Sequence, residues 1–94
     1  RNERLKLQER EAASVIYDAL QTAAKKAAVK KSLNEITQEA VKEINALENT
    51  VVFYFEFVNA RSLEPIETLT TTENARIITA VDFKGVRLLD NIGL

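Results

Sequence analysis

The chain has 94 residues, 46% of them hydrophobic and 29% charged, and its 13 basic and 14 acidic side chains leave a net charge of −1. That size and composition suit one soluble globular domain with a single core, and the balanced charge supplies no overall field for nucleic acid or an acidic substrate. Cysteine and histidine are both absent, which removes disulfides, thiol nucleophiles, the usual general base near neutral pH and the commonest metal ligands.

A Ser-His-Asp or Cys-His arrangement cannot be built from these residues, so self-sufficient catalysis is not expected. No apolar run approaches the roughly 20 residues of a membrane span, and no signal-peptide pattern opens the chain. Neither a membrane nor nucleic acid is expected as a partner. The lack of cysteine fits an intracellular, cytoplasmic protein.

From about Gln8 to Val29, the residues Ala12, Ile16, Ala19, Leu20, Ala23 and Ala27 recur at three- and four-residue steps. That period predicts an amphipathic helix, and its alanines raise the propensity. Glu9 and Glu11 lie near its start, with Lys25, Lys26, Lys30 and Lys31 at or beyond its end, an order that suits the helix dipole. Ser32-Leu33-Asn34-Glu35 then reads as a capping box. It opens a second helix with the stripe Leu33, Ile36, Ala40, Ile44 and Leu47, ending near Glu48-Asn49. So short a link predicts an antiparallel helix pair.

The period changes at Thr50. "VVFYFEFVN" alternates, with Val51, Phe53, Phe55 and Phe57 on one face and Val52, Tyr54, Glu56 and Val58 on the other. This predicts a strand from about Val51 to Val58 whose phenylalanine face packs on the helices. "ARSLEPIETLTTTEN" holds the only proline and reads as a connection with room for one helical turn. "ARIITAVDF" is a second strand, Lys84-Gly85 a hairpin turn and "VRLLDNI" a third strand. The expected fold is α+β: two antiparallel helices packed on a small three-stranded antiparallel sheet, as one domain over residues 1–94.

Three clusters invite a chemical reading. The lysines of "KKAAVKK" could meet phosphate, but they spread around the helix without interleaved aromatics and read better as a solvated helix end. Glu56, Asp82 and Asp90 could share acid–base work if buried together. Without histidine or a metal set, the better reading puts Glu56 on a solvent face and Asp82 at a turn bonded to backbone. Arg87 and Leu89 should share one side of the last strand, with Leu88 and Asp90 opposite. The Asp90-Asn91 pair reads as a structural ending to the sheet.

Taken in order, these landmarks resemble the C-terminal domain of the pantothenate synthetases, or pantoate–β-alanine ligases. "RNERLKLQEREAASVIYDALQTA" is similar to the segment that in this family runs from a Ser-Ser-Arg-Asn loop into a helix, with Arg1-Asn2 in the loop position. "VVFYFEFVNARSLEP" resembles the family's aromatic strand and Leu-Glu-Pro loop, and "ARIITAVDFKGVRLLDNIGL" its closing strands with an Arg-Leu-Ile-Asp-Asn ending. The resemblance spans essentially the whole chain. It implies a chain cut from a longer enzyme, whose Rossmann-like N-terminal catalytic domain is the missing partner and would carry Ser-Ser directly before Arg1.

In such an enzyme ATP activates pantoate as an adenylate, and β-alanine then gives pantothenate, with Mg²⁺ assisting at the phosphates. The C-terminal domain serves as a lid over the ATP site. The resemblance carries over one site residue, Arg1, as a contact to the ATP phosphates. No catalytic residue, no metal ligand and no cofactor are expected in the isolated chain, which should be inactive alone. The alternative is a free-standing α+β module that docks a partner through a strand edge or polar face.

Overall fold

The computed structural model describes residues 2–29, 32–66 and 75–94, with side chains from Leu7 onward. Arg1, Lys30, Lys31 and residues 67–74 lie outside the described residues. Two helices, α1 (Asn2–Ala28) and α2 (Leu33–Asn45), precede three strands, β1 (Thr50–Asn59), β2 (Ala75–Phe83) and β3 (Val86–Gly93). The strands form one antiparallel sheet in the order β1-β2-β3. The expected α+β architecture is therefore the observed one.

The helical stripes form the core as their spacing predicts, except that Leu47, expected to close the α2 stripe, lies past the end of that helix and is half-buried. Ala12, Ile16, Ala19, Leu20, Ala23 and Ala27 of α1 are all buried, as are Leu33, Ile36, Ala40 and Ile44 of α2. Small side chains along α1 let its backbone approach its neighbours closely, and the larger Ile16 and Leu20 fill the middle. α2 lies against β1, while α1 lies against β2 and β3. Near the link, Lys26 of α1 and Glu39 of α2 form an ion pair at 2.9 Å, consistent with two antiparallel neighbours.

Both helix boundaries differ from the spacing argument. α1 starts at Asn2, well before Gln8. Its first turns lack the apolar stripe, but Glu, Arg, Lys, Leu and Gln all favour helix, so propensity carries it beyond the core. Leu7 is correspondingly exposed. Ser32 occupies the N-cap position of α2 but makes no side-chain capping bond. The capping box is thus not formed on the serine side; the Ser32 carbonyl accepts the Ile36 N–H instead.

α2 also stops early, at Asn45, because the chain must turn into β1. Asn49 takes a left-handed conformation (φ 66°), which asparagine tolerates better than most residues. The Thr50 hydroxyl lies 3.0 Å from the Ile44 carbonyl and 2.6 Å from that of Leu47. The Ile44 carbonyl also accepts the Leu47 N–H, so the hydroxyl adds a second bond at the helix end and ties the turn into β1.

The largest departure lies in β1. Its register with β2 shifts by one residue between Val52 and Tyr54, a bulge at Phe53. Such an extra residue turns the side chains on either side of it out of simple alternation. Phe55 and Phe57 reach the helices and are buried, but Val51 and Phe53 are exposed. Half of the expected phenylalanine face therefore points away from the core. Thr79 of β2, 1% exposed, holds the irregularity by donating its hydroxyl to the Tyr54 carbonyl at 2.8 Å.

Thr79→Val keeps the side-chain shape and removes that donor. The substitution is expected to cost about 1–2 kcal/mol in urea unfolding, since it strands a carbonyl inside the sheet. An unchanged midpoint would mean the bulge does not depend on the hydroxyl.

After β1 the chain folds back on the same edge. Ile66 N–H donates to the Phe57 carbonyl, and Val58 bridges Pro65. Asn59 accepts the Arg61 and Ser62 N–H groups on its side-chain oxygen. Within residues 60–66 the Leu63 N–H donates to the Asn59 carbonyl at 2.7 Å, which closes one isolated helical-type turn, and the bridge to Pro65 follows; residues 67–74 lie outside the described residues. β2 and β3 are joined by Lys84-Gly85, with φ values of 51° and 85°. Two successive positive values define the tight hairpin turn whose twist matches the flanking strands, and glycine supplies the second at no steric cost.

Candidate functional site

The one site residue the sequence nominates, Arg1, lies outside the described residues. What is visible is the support for the helix it precedes. On β2–β3, Lys84 donates to the Gln8 side-chain oxygen at 2.7 Å, and its ammonium lies 5.6 Å from the centre of the Phe83 ring. The hairpin tip is thereby tied to the early part of α1. A small recess of about 220 Å³ forms there, lined by Gln8, Glu11, Leu47, Glu48, Phe83 and Lys84.

The three acidic residues are not brought together. Glu56 pairs in register with Ile78 and is exposed, whereas Asp82 lies nearer the hairpin, opposite Arg87. Asp82 accepts the Gly85 N–H at 3.2 Å, the turn-stabilising role its position suggests. Asp90 accepts the N–H of its neighbour Asn91. Among the described residues no group of three acidic side chains could hold a metal ion. Lys26 is engaged with Glu39 and Lys25 points to solvent, so the described part of the lysine cluster forms no phosphate site.

β3 alternates as its sequence suggests. Arg87, Leu89 and Asn91 are exposed, while Leu88, Asp90 and Ile92 are half-buried toward the helices. Arg87 is not buried. Its guanidinium lies over the Phe53 ring at 4.7 Å from the centroid, a cation–π contact. Asn91 accepts from Arg76 Nη2 at 2.6 Å across the β2–β3 pair. The Arg-and-Asn ending of the chain thus organises the face of the sheet that the helices do not cover.

The middle of that open face is apolar. A shallow depression of about 400 Å³ is lined by Phe53, Tyr54, Ala80, Arg87 and Leu89. A second open groove, of about 450 Å³, runs between α2 and β1 beside Leu33, Thr37, Phe55, Phe57 and Ile66. Asn34, Thr37 and Glu56 are its polar groups, and they do not amount to a nucleophile, a base and a set of oxyanion donors. Sequence reasoning missed the open face because both sides of "VVFYF" are apolar. The missing signal was Phe53, which only the bulge turns outward.

Comparison with known proteins is consistent in family and in extent. The family model for pantoate–β-alanine ligase matches residues 1–93. A pantothenate synthetase of Flavobacterium psychrophilum is 36% identical over 97 residues, covering 100% of this chain and 33% of the relative. One from Chlorobium chlorochromatii is 34% identical over 93 residues, covering 98% of this chain and 32% of the relative. Among solved structures, pantothenate synthetase from Thermus thermophilus superposes with a TM-score of 0.77 at 27% identity, covering 90% of this chain and 30% of the other. The chain spans about a third of the length of the curated relatives it matches.

Proposed function

Because this chain belongs to the pantoate–β-alanine ligase family, we propose that it is the C-terminal domain of such an enzyme and closes as a lid over its ATP site. The observation that carries this reading is a match across the whole chain that takes up only a third of each curated relative. A fold without histidine or cysteine, with its carboxylates dispersed, supports a role in positioning rather than in chemistry.

In the whole ligase, ATP would activate pantoate as an adenylate and β-alanine would displace AMP. Arg1, directly ahead of α1, would place a guanidinium against the phosphates and oppose the charge that develops on the departing pyrophosphate. The tie between Lys84 and Gln8 would steady the helix behind that loop. No described helix is long and apolar enough to cross a membrane. The reading places the enzyme in the cytoplasm, where ATP is supplied.

Pantothenate formation tests the proposal. This chain with ATP, Mg²⁺, pantoate and β-alanine is expected to yield none, while the polypeptide that also includes the upstream two thirds is expected to turn over. Turnover by the chain alone would overturn the lid reading.

A further inference from the structure

An antiparallel sheet with one face on its core usually turns a polar face to water. This one does not. Leu89 is 68% exposed, Val51 56%, Phe53 52% and Tyr54 39%. Register places Tyr54, Ala80 and Leu89 in one row across the three strands, with Val51, Asp82 and Arg87 in the row nearer the hairpin. The patch therefore runs continuously from edge to edge.

Two features indicate that the patch is built rather than left over. The bulge that turns Phe53 outward breaks the β1–β2 ladder, and the buried hydroxyl of Thr79 is spent on maintaining it. A regular strand would have put Phe53 into the core with Phe55 and Phe57. In addition, Arg87 lies over the Phe53 ring and makes no ion pair among the described residues. An exposed guanidinium with five N–H donors and no ion-pair partner among the described residues can donate to a carboxylate or carbonyl arriving from above.

We propose that this open face, centred on Phe53, Tyr54, Arg87 and Leu89, is the surface that docks against the two thirds of the ligase polypeptide that this chain does not span. The inference rests on the reading of the chain as one domain of that enzyme. A second copy of the chain is the poorer occupant. Three strands of this length present about 400 Å² from edge to edge, whereas a stable complex buries roughly 800 Å² on each partner. A tethered neighbour needs less, because the connecting chain holds it at an effective concentration of about millimolar. The curated relatives are three times as long as the matched region, so a neighbour of sufficient size exists. The outward side of α1, by contrast, shows Ser14, Asp18, Thr22 and Lys25 to solvent, a surface that loses little by staying wet. The covering surface should be apolar, with an acceptor placed over Arg87.

Hydroxyl-radical footprinting of this chain alone and of the whole ligase tests the docking directly. Oxidation at Phe53, Tyr54 and Leu89 is expected to slow by about threefold or more in the whole ligase, as for residues at the dry centre of an interface. Tyr17, exposed on α1, should react equally in both. In the whole ligase, Leu89→Asp should return Phe53 and Tyr54 to the rate seen in the chain alone. Equal rates at the sheet face, or slowing at Tyr17 instead, would overturn the inference. So would protection that grows with concentration in the chain alone, which would assign the face to a second copy. Pantothenate formation on the same whole-ligase sample separates the two readings. An active enzyme with an unprotected sheet overturns the docking face alone, whereas an inactive one with a protected sheet overturns the ligase reading and supports the docking.

Discussion

Ile77→Ala is expected to lower the unfolding free energy of the chain by about 3–4 kcal/mol, within the range for large-to-small changes in cores. Ile77 is fully buried on the middle strand, facing the helices, with Phe57 and Ile92 as its register partners on either side. Flanked by strands on both edges, β2 has little room to shift, so the cavity should persist instead of collapsing. For a domain of this size that loss corresponds to a fall in Tm of roughly 15–25 °C. Urea and thermal melts on the chain alone are sufficient. A change below about 1 kcal/mol would mean that the helices re-seat over the sheet and that the core is less specifically packed than the structure indicates.

Arg1→Ala in the whole ligase is expected to act on chemistry and leave stability unchanged. If the guanidinium opposes charge on the leaving pyrophosphate, its loss should cut pantoate-dependent exchange of pyrophosphate into ATP about 100-fold. The KM for pantoate should hardly move, because the contact is made to the phosphates. Arg1→Lys should recover only part of the rate, since an ammonium keeps the charge but not the planar fork. A uniform rise in the KM for ATP with unchanged kcat would instead assign Arg1 to ground-state binding.

The parts of the fold that could be read in the sequence are those set by local period. The α1 and α2 stripes appear as three- and four-residue spacings, and every member from Ala12 to Ile44 that carries the core is buried. The Lys84-Gly85 turn was legible because two residues between apolar runs leave few geometries, and its positive φ values follow. Phe53 was not legible. Its orientation depends on a bulge supported by Thr79, 25 residues away from Tyr54, and alternation alone cannot register an inserted residue. Ser32 shows the opposite failure: the local pattern suits a capping box, yet its side chain makes no capping bond. Arg1 was nominated by a family motif, because a single arginine ahead of a helix has no chemical signature of its own. The open sheet face was hidden for a further reason. An apolar residue on a strand announces burial without saying whether its own fold or a neighbour supplies the cover.

The unequal lengths of the two layers have a mechanical consequence. At 27 residues, α1 is about 40 Å long, more than the strands it lies on, and the molecule's longest extent is 47 Å. A rigid rod of that length, pivoting about its first turn, magnifies rotation. A rotation of about ten degrees at the pivot displaces the far tip by about 7 Å. The hairpin, pinned to the early turns through Gln8 and Lys84, would travel little, while the end near Lys26 and Glu39 would sweep a wide arc.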